Sequence, residues 1–87
     1  MISILKNRLV NAVNEYSAVF KEGIPYAVLS RKYGKKLIQL GTDLDTVLKE
    51  LGDLKQINIY MKRNGAKIVT PSDEAQIKIP TDYGRVS

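Results

Sequence analysis

The stretch TDLDTVLKELG, residues 42–52, contains the signals for the start, the buried face and the end of one short helix. The Thr42 hydroxyl is expected to cap the first turn, while Asp43 and Asp45 place negative charge at the positive end of the helix dipole. Gly52 is expected to end the helix in a left-handed conformation. Four branched apolar residues recur at i, i+3, i+4 and i+7, so this face needs a partner surface: Leu44, Val47, Leu48 and Leu51.

A long amphipathic helix is predicted at the start of the chain. Apolar residues recur there every three or four positions, namely Ile2, Leu5, Leu9, Val13, Tyr16 and Phe20. Gly23 is expected to end this helix because glycine adopts positive φ without steric cost.

A second helix is predicted to start at Pro25, whose missing N–H is harmless in a first turn. Its apolar face would carry Tyr26, Leu29 and Tyr33, and Gly34 is expected to close it. The five residues LIQLG, 37–41, are then expected to form a turn that places two leucines in the core.

The hydrophobic period changes from 3.6 to 2 after Gly52. Three apolar residues alternate with three polar ones, which predicts a strand with one wet face: Ile57, Ile59 and Met61 against Asn58, Tyr60 and Lys62. Asn64-Gly65 predicts a two-residue type I′ turn into a second strand. That turn would place Arg63 opposite Ala66, Met61 opposite Ile68, and Tyr60 opposite Val69.

Three helices followed by a hairpin predict an α+β fold, a small winged helix in which the hairpin is the wing. We expect the winged-helix domain to span residues 1–71 and a polar C-terminal tail to span residues 72–87. The alternation of Ile77 and Ile79 leaves the tail open as either a third strand or a linker. The chain has no Cys and no apolar run long enough for a membrane span, so we expect a soluble cytoplasmic protein without a membrane partner.

The net charge of +5 comes from fourteen basic and nine acidic residues, and the basic ones concentrate in two regions. The end of the second helix with its turn carries Arg31, Lys32, Lys35 and Lys36, and the wing carries Lys62, Arg63 and Lys67. The outer face of the third helix is acidic, which argues against insertion into the phosphate-lined groove of DNA. Nucleic acid is therefore expected to contact the two basic regions, the alternative being that these charges only solvate the surface.

Two smaller patterns leave a functional and a structural interpretation open. Tyr60 lies beside Lys62 on the predicted wet face, which suits stacking on an unpaired base, but it can equally pack on Val69. Asp43 and Asp45 form a D-x-D pattern that can suggest a metal site, yet at a helix start they are first-turn acids.

Enzymatic chemistry has little support in the composition. The chain has no His and no Cys, and therefore no imidazole base, thiolate nucleophile or usual zinc ligand set. We expect a non-catalytic binding module without cofactor, metal or small-molecule substrate.

The core residues and glycines over about residues 5–70 resemble the LOTUS (OST-HTH) domain of Oskar and the Tudor-domain germline proteins. The resemblance is carried by Gly23-Ile24, Leu29, Tyr33, Leu40-Gly41, Leu44, Leu48, Leu51, Ile57 and the hairpin turn at Gly65. It implies a germ-granule adaptor that binds RNA, notably G-rich or quadruplex forms.

The resemblance also implies other partners. An extended LOTUS subtype binds the Vasa DEAD-box helicase through its second helix and an additional helix after the wing, and some members form homodimers through the hairpin. Pro80 and Gly84 interrupt the tail where that additional helix would lie, which favours RNA. The leading hypothesis is thus RNA binding and germ-granule scaffolding, the alternative is a helicase-binding or homodimeric adaptor, and a DNA-binding regulator ranks third.

Overall fold

The computed structural model describes residues 2–73 and 76–86, and it confirms the predicted α+β class. The elements in chain order are α1 (Ile2–Phe20), β1 (Ile24–Pro25), α2 (Tyr26–Leu29), a π-helical turn (Ser30–Gly34), α3 (Lys35–Gln39), α4 (Leu44–Asp53), β2 (Ile57–Lys62), β3 (Lys67–Pro71) and β4 (Tyr83–Arg85). The strands form one antiparallel sheet in the order β1-β3-β2-β4. Among the described helices, none is both long and apolar enough to cross a membrane.

The buried face of α1 largely follows the predicted stripe. Leu5, Leu9 and Val13 are buried, and Ser17 continues the stripe with its hydroxyl donating to the Glu22 carbonyl at 2.9 Å. The prediction for Phe20 was wrong, because its side chain is 58% exposed. A buried serine is tolerated here because its polar group is satisfied.

The end of α1 is also not the predicted one. Lys21, rather than Gly23, adopts positive φ, at 57°. Gly23 is instead a point of close approach, because a Cβ there would lie 3.1 Å from side-chain atoms of Ile68 and Thr70. The glycine therefore allows the chain to pass close to β3.

The elements α2, the π-helical turn and α3 form one continuous helical segment, residues 26–39, called the central helix below. Ser30 and Gly34 both have right-handed helical backbone angles, so the prediction that Gly34 ends a helix was wrong. The turn predicted at residues 37–41 is likewise helical, and the stop is Gly41 with φ +84°. A glycine inside a helix costs only about 1 kcal/mol relative to alanine, which burial of Leu29 and Leu37 on either side can offset.

Helix α4 buries the four predicted residues Leu44, Val47, Leu48 and Leu51. Its cap is Asp43 instead of Thr42, because the Asp43 carboxylate accepts from the Thr46 N–H at 2.7 Å. Gly52 lies within the helix, and the positive φ that follows belongs to Lys55. Aspartate caps at least as well as threonine, and Asp43 is the residue next to the first helical one.

The hairpin has a three-residue loop, so the predicted type I′ turn was wrong. The Gly65 N–H donates to the Lys62 carbonyl at 2.9 Å, and the Lys62 N–H donates to the Ala66 carbonyl at 2.8 Å. Gly65 has φ +92°, as in a type I turn followed by a bulge, and Asn64 accepts from the Ala66 N–H at 3.0 Å. The extra loop residue shifts the register by one, so Tyr60 pairs with Ile68 and Ile59 with Val69.

This shift changes which residues of β3 face the helices. Val69 joins Ile57 and Ile59 in the core, whereas Ile68 lies on the opposite face against Gly23. Met61, expected in the core, is 39% exposed.

The sheet face predicted to be wet is partly covered. Asn58 and Thr70 on that face are buried, and the Asn58 amide donates to the Pro71 carbonyl at 3.2 Å. The tail contributes to this cover, since the Arg85 guanidinium donates to the Asn58 side-chain oxygen at 2.6 Å and β4 pairs with β2. The strand in the tail is thus Tyr83–Arg85, and Lys78, between Ile77 and Ile79, makes only an isolated bridge with Glu22.

Candidate nucleic-acid interface

Four of the predicted cations lie on the central helix. Arg31 and Lys32 belong to the π-helical turn, Lys35 and Lys36 belong to α3, and all four are exposed. They occupy positions i, i+1, i+4 and i+5, which share one side of a helix. None of them forms an ion pair within residues 2–73 and 76–86. We call these four residues the basic helix face.

Arg8 of α1 extends the basic helix face. It lines a groove of about 370 Å³ together with Ile4, Leu5, Lys36, Gln39 and Leu40. The sequence places Arg8 off the apolar stripe of α1, which indicates exposure. The sequence does not show that α1 lies beside α3, so Arg8 was missed as a site residue.

Lys67 of the predicted wing, the hairpin formed by β2, β3 and their loop, takes part in tertiary contacts. Its ammonium lies 3.5 Å from the Asp45 carboxylate and 5.4 Å from the centroid of the Tyr26 ring. Burial, together with a hydrogen bond to Asp45, raises the pKa of the Tyr26 hydroxyl. Lys67 therefore connects β3 to both α2 and α4, and its charge is partly balanced by Asp45.

The other two wing cations differ from each other. The Lys62 ammonium lies 3.2 Å from the Asp82 carboxylate, and both side chains are about half exposed. Arg63 lies in the exposed hairpin loop and forms no ion pair with any residue that the structure describes. Among the three wing cations, Arg63 is thus the one whose charge is not balanced by a neighbouring acid.

The two basic regions lie apart. Lys67 contacts the first residue of the central helix, Tyr26, whereas Lys36 lies ten residues further along it. Ten residues correspond to about 15 Å of helix rise. The predicted site residues therefore divide into a wing group and the basic helix face, which begins at Arg31, five residues from Tyr26.

Tyr60 lies on the predicted face of β2, but with different neighbours. Its cross-strand partners are Ile68 on β3 and Arg85 on β4, not Val69. Tyr60 is half-buried.

Tyr83 was not predicted as a site residue. It lies on β4 directly opposite Lys62 and lines an open cleft of about 770 Å³ beside the hairpin loop. The polar composition of the tail gave no signal for this placement, because it depends on β4 pairing with β2.

The outer face of α4 has the acidic character predicted for it. Its exposed residues are Asp45, Thr46, Lys49, Glu50 and Asp53, and Glu50 forms an ion pair with Lys6 of α1. Asp43 acts as the helix cap, and the described part of the chain contains no cluster of acids that could hold a metal ion. Lys6 and Lys67 balance Glu50 and Asp45 in part, and Lys49 is the one cation that the exposed face of this helix itself offers to DNA.

Comparisons of the chain with models of known protein families, with curated proteins and with solved structures returned no match.

Proposed function

We propose that this chain is a non-catalytic module that binds RNA through the basic helix face. The observation that carries the proposal is four exposed cations on one side of one continuous helix, without acidic partners in the described residues. Unbalanced cations on a rigid element attract phosphates and release counterions when they bind them. Helix α4 has Lys49 as its one cation, which disfavours reading duplex DNA in the major groove through this helix.

The family resemblance supplies the finer parts of the proposal. The order of three helices and a hairpin, with β1 beside β3, is that of a winged helix, and we propose from the resemblance that it is of the LOTUS type. On that basis we propose G-rich or quadruplex RNA as the ligand, and scaffolding in cytoplasmic germ granules as the cellular role.

The test is fluorescence anisotropy with G-rich single-stranded RNA, quadruplex RNA and duplex DNA, each at two salt concentrations. The double variant Lys35→Gln/Lys36→Gln removes two phosphate contacts without adding acid. We expect its affinity for the preferred RNA to fall by about an order of magnitude at low salt, and the slope of log K against log salt to decrease by roughly 1.4.

The matched control is Lys49→Gln/Lys55→Gln, which removes the same charge from exposed positions outside the basic helix face. We expect this control to bind RNA nearly as well as the parent chain. Equal losses in both double variants would mean that only net charge matters, and no loss in either would place the RNA elsewhere.

A second candidate function is a protein-binding adaptor, and one observation favours it. Ile4 and Ile38 are 53% and 68% exposed, and Ile4 lines the groove that contains Arg8 and Lys36. Exposed apolar side chains beside cations suit an acidic, partly apolar protein surface. The Vasa-type helicase and a second copy of this chain are the partners that the resemblance suggests.

The variant Ile4→Ser/Ile38→Ser separates the two candidates. We expect RNA affinity to be nearly unchanged, whereas binding of a DEAD-box helicase, measured by calorimetry, would weaken at least tenfold if the groove is the docking site. Sedimentation velocity of the parent chain tests the homodimer. A monomer that does not bind the helicase would remove the adaptor candidate.

A further inference from the structure

The cleft beside the hairpin loop is framed by two turns that are held together. One is the wing turn, closed by the hydrogen bond from Gly65 to Lys62, and the other is closed by the Tyr83 N–H donating to the Pro80 carbonyl at 3.1 Å. The ion pair between Lys62 and Asp82 joins the two turns. The resulting space of about 770 Å³ has the size of a site for a small ligand group.

The side chains in this cleft combine one aromatic ring with one unbalanced cation. Tyr83 is half-buried and lines the cleft, and Arg63 is exposed at its rim. The charge of Asp82 is largely balanced by Lys62, so the cleft does not present net negative charge to an anion. Aromatic rings next to cations are typical of sites that hold unpaired bases together with their phosphates.

We infer that this cleft binds one unpaired nucleobase, which stacks on Tyr83 while an adjoining phosphate contacts Arg63. The inference rests on the proposed RNA binding and adds a second contact region to it, outside the basic helix face. A base inside a duplex is not available for such stacking, so the ligand is a single-stranded end, loop or bulge.

The direct test is photocrosslinking of the unmodified chain to a short oligouridine that carries one 5-iodouridine at its end. A base stacked on Tyr83 is expected to crosslink to this residue, as identified by mass spectrometry of the digested complex. Crosslinks confined to residues outside the cleft would overturn the inference.

Two variants test the stacking by affinity for the same oligouridine. Tyr83→Phe keeps the ring and is expected to bind the oligouridine like the parent chain. Tyr83→Leu keeps the apolar contact but is expected to bind the oligouridine roughly fivefold or more weakly. The matched control is Tyr16→Leu, because Tyr16 lies on α1 against Phe20, outside the cleft. Circular dichroism melts show whether each variant is folded.

The outcomes separate this inference from the proposed function. In one outcome, RNA binding depends on Lys35 and Lys36, but Tyr83→Leu binds RNA as tightly as the parent chain. This result would keep the basic helix face as the RNA site and overturn the inference that the cleft binds a base. Absence of any salt-dependent RNA binding would overturn both. A loss of RNA affinity in Lys35→Gln/Lys36→Gln and in Tyr83→Leu, together with a crosslink at Tyr83, would support both the proposed function and the inference.

Discussion

Asp43 holds the first turn of α4 through contacts that depend on its charge. The Thr46 N–H donates to its carboxylate at 2.7 Å. This hydrogen bond, with a further one from the Thr46 hydroxyl, lowers the pKa of Asp43 below its ordinary value of 3.8. A carboxylate with a lowered folded-state pKa stabilises the fold above its unfolded-state pKa, and this contribution is lost as the pH falls through the folded-state value.

We predict that Asp43→Asn removes part of the acid sensitivity of the protein without removing the cap. Asparagine caps helices about as well as aspartate, so the thermal midpoint at neutral pH is expected to change little. Below about pH 4 the parent chain is expected to lose stability more steeply than the variant. Thermal unfolding followed by circular dichroism across this pH range measures the difference.

The matched variant is Asp43→Ala, which removes the cap at every pH. Its thermal midpoint is expected to fall by roughly five degrees at neutral pH. If Asp43→Ala has no effect there, Asp43 is not the functional cap, and Thr42→Ala becomes the variant to measure.

The two adjacent capping residues show what could be predicted at the residue scale. The sequence placed a cap within one residue of the correct position, because both Thr42 and Asp43 are good caps and the helix period begins at Leu44. Choosing between them requires the backbone angles of residue 43, which are extended in the structure. The prediction of the buried face of α4 did not depend on which residue is the cap, because its four apolar residues share one side of the helix wherever the helix starts.

At the scale of elements, the central helix shows why glycines were poor guides to helix ends. Gly23, Gly34 and Gly52 were each expected to stop a helix, and none of them adopts positive φ. Gly41 and Gly65 do adopt it. Composition alone cannot separate a glycine that turns the chain or allows close approach, both of which need the missing Cβ, from one that lies in a helix without needing it.

We predict opposite effects of alanine at Gly34, inside the central helix, and at Gly41, just after its end. Gly34→Ala is expected to stabilise the protein by roughly 0.5–1 kcal/mol, since Gly34 is helical and a Cβ there would meet only the Ser30 hydroxyl, at 3.4 Å. Gly41→Ala is expected to destabilise it by about 1–2 kcal/mol, because its φ is +84°. Urea unfolding of the two variants measures both changes.

The pair of variants also serves as an internal control. If the second helix ended at Gly34, both substitutions would destabilise the protein. A destabilising Gly34→Ala would therefore contradict the continuous central helix, on which the basic helix face depends.

The hairpin is a second element whose existence, but not its register, could be predicted from the sequence. The alternation after Gly52 correctly predicted β2 and β3, because period 2 over six residues is a specific signal. Asn-Gly is compatible with both a two-residue turn and a three-residue loop with a bulge, and these differ by one residue in register. That single step decided which of the two residues packs against the helices: Val69 joins the main hydrophobic cluster, and Ile68 is buried on the opposite face of the sheet.

At the scale of the whole molecule, the sequence identified the basic residues but not their arrangement. Lys67 was grouped with the wing cations, and its contacts with Tyr26 and Asp45 depend on the packing of three distant elements. Arg8 lies in the candidate site because α1 and α3 line one groove, and Tyr83 lies there because β4 pairs with β2. Such long-range neighbours leave no local pattern in a chain.

The tail strand has a role that only the complete sheet reveals. The strand β2 would form an edge of the sheet without β4, which pairs with it from Tyr60 to Lys62. Val86 adds a hydrogen bond from its N–H to the Ile59 carbonyl at 2.8 Å. Unpaired edge strands are templates for association with other chains, so β4 is expected to protect the hairpin from this.

We predict that a chain ending at Thr81 self-associates through β2. Loss of the β4 hydrogen bonds is expected to lower the free energy of unfolding by about 2 kcal/mol or more, and the exposed edge is expected to give a concentration-dependent increase in sedimentation coefficient. The same truncated chain with Met61→Lys is the control, because a lysine on an exposed edge strand opposes pairing and should restore the monomer. A truncated chain that remains monomeric at all concentrations would show that β4 does not protect this edge.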